Sequence, residues 1–106
     1  MEIISVKNCP ITKALEVLGG KWKLRIIYHI VEDKPVRYGE LRRYIPEISE
    51  KMLLQELRSL VENKILEKRS YLENTLRVEY TLTKKGKEVL PLIKMLAQIG
   101  MNFLGE

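Results

Sequence analysis

One cysteine, Cys9, and one histidine, His29, are all that 106 residues contain of these two types. Neither an intrachain disulfide nor a Cys/His zinc cage of ordinary spacing can be built from them, so metal-sensing readings that depend on such clusters fall away. No run approaches the ~18 apolar residues of a membrane span. The opening stretch MEIISVKNCP lacks the basic-then-apolar layout of a signal peptide. A cytoplasmic location with no membrane partner is the expectation. No Ser/His/Asp set, paired-carboxylate spacing or phosphate-cradling loop is visible, and LGGKWK carries glycines and lysines without P-loop spacing. Catalysis and a bound cofactor are not expected. Repeats, low-complexity segments and Gly/Ser/Pro linkers are absent, and the four prolines punctuate short elements.

What the chain has in surplus is positive charge. Lysine and arginine number 19 against 14 aspartate and glutamate, a net +5 that leans toward polyanionic partners. The length suits one domain with a single modest core, residues 1–106 as one unit.

Hydrophobic periodicity divides that unit. CPITKALEVLGG predicts a first helix over 9–19, with Pro10 at the first helical position, Ile11, Ala14, Leu15 and Leu18 at helical spacing, and Gly19 and Gly20 as a stop. KWKLRIIYHIV predicts a second helix, apolar nearly all round and therefore central. His29 lies on it and reads as a packed side chain rather than a ligand. After a turn at Pro35 and a short extended piece near Val36, YGELRRYI forms a brief helix with Leu41 and Ile45 inward and Arg42 and Arg43 outward.

Three residues, Pro46 to Ile48, then lead into SEKMLLQELRSLVENK. Ser49 suits its cap and Ile48 with Leu53 a hydrophobic staple. At about 100° per residue, Leu53, Leu57, Leu60 and Val61 share one stripe while Lys51, Gln55, Arg58 and Ser59 gather opposite. So short a turn before a helix with a cationic polar face is the sequence form of a helix-turn-helix, here 38–63, although helical hairpins in bundles look similar. ILEKRSYLE and LRVEYTLT follow with partial alternation. They predict two antiparallel strands over 65–82, turned at Glu73 to Thr75, with Ile65, Tyr71, Val78, Tyr80 and Leu82 inward. A basic β-hairpin after a helix-turn-helix gives an α+β winged helix.

The last segment, 84–104, is capped by Thr83, and Pro91 should kink it or divide it in two. Val89, Leu92, Ile93, Leu96, Ile99 and Phe103 make one stripe, and Leu90, Ala97, Met101 and Leu104 a second. One stripe can seal the domain; the surplus asks for a partner.

Three blocks in order, CPITKALEVLGGKWKLRIIYHI with its Gly-Lys-Trp, RYGELRRYIPEISEKMLLQELRSL, and RVEYTLTKKGKEVLPLI, resemble the HxlR family of transcription regulators. The resemblance implies a winged helix that binds DNA as a homodimer, with the Ser49 helix as recognition helix. First and last helices would form the dimer, through Ile11, Leu15, Leu90, Ile93, Ala97, Met101 and Leu104. Two departures stand out. The family's usual glycine after the recognition helix is replaced by Asn63 and Lys64, one of which must take a left-handed cap, and the wing tip lacks the prolines common there.

In that frame Lys51, Gln55 and Arg58 become candidates for reading base edges, with Ser49 and Met52 beside them. Arg42, Arg43, Lys68, Arg69 and Arg77 become candidates for phosphate, Arg77 foremost; a solvated surface charge is the bland reading of each. Cys9 would sit at the cap of the first helix, where the positive helix end, Lys7 and Lys13 favour a thiolate. Some family members sense oxidants or electrophiles with an N-terminal cysteine, whereas an inert, partly buried thiol is the alternative. The partners expected are a palindromic double-stranded operator and a second copy of the chain, with any small-molecule effector unknown. The rivals are a winged helix that binds protein alone, and a sensor whose ligand pocket lies between core and dimer helices.

Overall fold

The computed structural model describes residues 9–30, 34–72 and 76–105. The elements run α1 (Pro10–Leu18), α2 (Lys23–Tyr28), β1 (Val36–Arg37), α3 (Tyr38–Tyr44), α4 (Glu50–Glu62), β2 (Leu66–Leu72), β3 (Leu76–Leu82), α5 (Lys84–Lys87) and α6 (Leu90–Leu104). The strands form one antiparallel sheet in the order β1-β3-β2. This is the expected α+β winged helix, with a two-residue third strand added at the edge of the hairpin. The wing turn at Glu73 to Thr75, together with Lys7 and Val31, lies outside the described residues.

One core joins the layers. Ile26, Ile27 and Ile30 from the α2 region, Leu41 and Ile45 from α3, Leu53, Leu57 and Leu60 from α4, and Leu66, Tyr80 and Leu82 from the sheet are all buried. The second helix is shorter than its apolar run, ending at Tyr28. Beyond it His29 leaves helical geometry and stacks on Tyr44 with ring centroids 5.0 Å apart. Burial and then the Arg25 charge hold its imidazole pKa below the usual histidine value, as befits a packed ring. Ile30 still reaches the core from outside the helix.

α4 is fixed at both ends. Ser49 Oγ accepts the Met52 N–H at 3.1 Å, the cap expected from the sequence. At the far end Ile65 N–H donates to the Leu60 carbonyl at 2.9 Å and Lys64 N–H to that of Val61 at 3.0 Å, the two bonds of a Schellman stop. The left-handed residue is Lys64, at φ 64°, and not Asn63, whose side chain instead donates to the Ser59 carbonyl. Holding lysine there costs about 1 kcal/mol relative to glycine. The stop places Ile65 beneath Leu60, both buried, and aims the chain into β2.

Thr83 joins the wing to the last segment. Its hydroxyl donates to the Lys64 carbonyl at 2.5 Å, and its oxygen accepts the Gly86 N–H at 2.9 Å. α5 then stops, and α6 begins with Pro91 in its first turn, where a missing N–H leaves no helical bond unmade. Pro91 therefore divides the segment in two rather than kinking it. The expectation that the stripe from Val89 to Phe103 seals the domain needs correction. Of α6 only Ile93 is buried, at 6% exposure, while Leu92, Leu96, Ile99 and Phe103 are exposed. Ile93 thus belongs to the core and not to a free interface, and Leu90 packs half-buried against that core.

Candidate nucleic-acid interface

α3 and α4, joined through Pro46 to Ile48, hold the candidate surface, and α2 braces it from behind. Lys23 Nζ lies 2.7 Å from Glu56 Oε1 with each side chain only 13% exposed, tying α2 to the back of α4. Arg25 reaches Glu47 in the turn at 2.7 Å, and its guanidinium bond holds the Glu47 carboxyl below the usual carboxylate range. Lys21 and Arg25 flank the half-buried Trp22 ring at 4.8 and 5.3 Å. The Gly-Lys-Trp stretch is therefore a brace for the helix-turn-helix.

With that bracing, the crest of α4 faces solvent. Lys51, Gln55 and Arg58 are all exposed, as the helical spacing requires. Ser49 is also exposed, but its oxygen is engaged in the cap, leaving its hydroxyl hydrogen to donate outward. Met52 is a correction: it is half-buried and packs against the core, because it lies on the flank of α4 turned toward the body. Arg42 and Arg43 are exposed on α3. Glu62 closes the cationic face at its C-terminal end, beside Arg58 and Lys68.

The three wing cations do not share one face of the hairpin. Leu66, Lys68 and Ser70 pair with Leu82, Tyr80 and Val78, whereas Arg69 and Tyr71 pair with Glu79 and Arg77. Alternation along each strand then puts Lys68 on the helix side, in the groove with Leu54, Arg58 and Tyr80. Arg69 lies on the outer face, whereas Arg77, though paired with Tyr71 there, also borders the groove with Arg37, Tyr38, Leu54 and Lys68. Arg77 sits over the Tyr71 ring at 4.5 Å and 3.2 Å from Glu79, and Arg69 lies 3.6 Å from Glu67. The inward placement of Tyr71 is thereby corrected, and of the wing candidates Lys68 and Arg77 border the groove beside α4 whereas Arg69 does not.

Residues that the sequence did not single out complete the groove. Arg37 caps α3, its N–H bonded to Glu40 at 2.8 Å, and with Tyr38, Leu54 and Lys68 it lines the space between α3, α4 and the wing. The Tyr38 hydroxyl is buried there without a hydrogen-bond partner, and burial, then Tyr38, raises the neighbouring Tyr80 phenol above the usual tyrosine value. The helical wheel held the signal for Leu54, one step outside the buried stripe and one turn before Arg58. Arg37 carried no such signal, since its place depends on β1 pairing with β3.

Away from this surface, Cys9 is the N-cap of α1. The Thr12 amide, the Thr12 hydroxyl and the Ile11 amide draw its thiol pKa below the ordinary cysteine value. Lys13 is 3.7 Å from Glu16. A second groove runs between α2 and α6, where Ala97, Met101 and Leu104 face Leu24, Tyr28 and His29. Ile11 and Leu15 of α1 are exposed as well. Among the described residues no group of three or more metal-binding side chains converges, and no helix is long and apolar enough to cross a membrane.

Residues 17–106 match the family model for the HxlR-like helix-turn-helix. The uncharacterised HTH-type transcriptional regulator YdzF of Bacillus subtilis is 38% identical over 95 residues, 90% of this chain and 87% of that protein. A solved structure from Porphyromonas gingivalis W83, described as a MarR-family transcriptional regulator, superposes with a TM-score of 0.88 at 46% identity, covering 94% of this chain and 97% of the other. The redox regulator HypR in its oxidized form gives a TM-score of 0.84 at 35% identity, covering 89% and 96%.

Proposed function

The chain belongs to the HxlR-like helix-turn-helix family of transcriptional regulators, and from that premise we propose that it binds a palindromic operator as a homodimer. Each subunit lays the first half of α4 in the major groove, the two half-sites ~34 Å apart. The observation that carries this reading is the exposed crest of Lys51, Gln55 and Arg58 on a helix whose other side is wholly committed to the core. Arg and Lys suit guanine O6 and N7, Gln suits adenine N6 and N7, and each such pair discriminates by ~1–3 kcal/mol. Arg42, Arg43 and Lys68 surround that crest and hold phosphates. Arg69, on the outer face of the wing, is left out of the contact set, and Arg77 lies at its margin.

Salt tests the reading. About three phosphate contacts per subunit give a slope of about −5 in log affinity against log salt, so binding should weaken roughly 10³-fold between ~50 and ~200 mM. Lys68→Ala should flatten that slope by about two units per dimer, whereas Arg69→Ala should leave it unchanged. A flat response with no selected sequence would defeat the DNA reading in favour of a winged helix that binds protein alone. A site selected from a random pool by wild type and again by Gln55→Ala would settle base reading: an unchanged motif returns Gln55 to a solvated face.

Cys9 adds a redox or electrophile response. The family likeness to a redox regulator supports it, and so does the local chemistry, since amides at the start of α1 stabilise a thiolate. As the chain's sole cysteine, it can form a disulfide only with a second chain or a small thiol. Lowering the thiol pKa enlarges the thiolate fraction at neutral pH. Alkylation by iodoacetamide should therefore rise with pH through a midpoint below that of free cysteine, and diamide should change operator affinity in wild type but not in Cys9→Ser. A midpoint at the free-cysteine value, with affinity indifferent to diamide, would make Cys9 a passenger.

A further inference from the structure

Leu54 belongs to neither side of α4. Leu53, Leu57 and Leu60 are buried and Lys51, Gln55 and Arg58 form the polar crest, yet Leu54 is 43% exposed between the two. It borders the groove between α4 and the sheet, with Arg58 and Lys68 on one side and Arg37 and Tyr38 on the other. Single exposed leucines are ordinary on a protein surface. What distinguishes this one is its company, for cations border it from α4, the wing and the start of α3.

A surface so placed loses its water when the helix enters the groove. Burying a leucine against a base edge that must hydrogen-bond would strand polar atoms, which is costly. The major-groove edge offers one apolar group, the C5 methyl of thymine. Leu54 is the fifth residue of a thirteen-residue helix, within the N-terminal half that approaches bases, and one turn before Arg58. Resting on the DNA reading above, we propose that Leu54 is a specificity residue that packs on one thymine methyl in each half-site. Lys51, Gln55 and Arg58 then read hydrogen-bonding edges, and Leu54 reads an apolar group they cannot detect.

Deoxyuridine tests this, because it differs from thymidine by that methyl alone. The operator selected by wild type is remade with each thymine replaced in turn, symmetrically in both half-sites. At one position the loss should be about fourfold per methyl, about sixteenfold for the symmetric pair. Leu54→Ala should bind the thymine and uracil duplexes equally at that position, and Leu54→Met should keep the sensitivity. Circular dichroism and solution mass check that both variants keep fold and assembly. Identical uracil profiles for wild type and Leu54→Ala, or selected half-sites without thymine, would overturn the assignment. A leucine resting on deoxyribose would give the former. If wild type selects no sequence at all, the DNA reading itself has failed and takes Leu54 with it; a selected but methyl-blind operator defeats Leu54 alone.

Discussion

Replacing Gly86 by alanine is expected to lower the melting temperature by about 10–20 °C, a cost of about 2–3 kcal/mol. The intrinsic effect has the opposite sign, since alanine is a better helix former by about 1 kcal/mol. Contact decides the outcome. A β-carbon at Gly86 would overlap the Ile65 carbonyl oxygen and come within 3.1 Å of Leu82 Cδ2. That carbonyl already accepts the Thr83 N–H at 3.0 Å. The methyl group would have to lift α5 from the sheet, loosening the Thr83 bonds that join α4's stop to the wing. Gly39, with nothing within 4 Å of its β-position, is the control: alanine there should leave stability equal or slightly higher. Thermal unfolding at one fixed protein concentration checks both. Equal melting temperatures for wild type and Gly86→Ala would mean that α5 does not pack as described.

The same junction shows where the sequence could be read and where it could not. Capping by Ser49 and Thr83, the stripe on α4 and the break at Pro91 all depend on neighbours close in sequence, and each was legible. The faces of β2 were not. Ile65 and Leu66 are both buried, because Ile65 closes the Schellman stop beneath Leu60 while Leu66 begins the strand. Counting alternation from Ile65 shifts the strand by one residue and turns Tyr71 inward, and a one-residue shift exchanges the faces of every side chain. β3 contained the correction, since Val78, Tyr80 and Leu82 fix its inner face and Arg77 lies between them in parity. The faces of α6 were illegible for another reason. Outside a narrow polar line of Lys94, Gln98 and Asn102 its surface is apolar, and a period cannot say which part of so wide an apolar surface meets the body.

Two glutamates on α6, Leu96→Glu with Ile99→Glu, are expected to convert a dimer into a monomer of 12.4 kDa and to weaken operator binding by roughly 10²–10⁴-fold. α6 runs 15 residues, about 22 Å of helix, and of these only Ile93 is buried, with Leu90 half-buried against the core. Leu92, Met95, Leu96, Ile99, Met101, Phe103 and Leu104 remain exposed, and apolar surface gathered on one helix in this way marks an interaction site. Leu96 and Ile99 lie one turn apart on the same exposed side of α6, so the pair charges that side at mid-length, and an interface built on it cannot avoid both. Neither side chain belongs to the core, so circular dichroism should be unchanged. Ile93→Glu is the contrasting variant: with that residue 6% exposed, a charge there should unfold the domain instead. The loss of affinity follows from geometry, since a monomer engages one half-site and forfeits the high effective concentration that a tethered second α4 supplies at the other. A wild-type chain that is monomeric at micromolar concentration and binds one half-site with undiminished affinity would show that α6 serves some other partner.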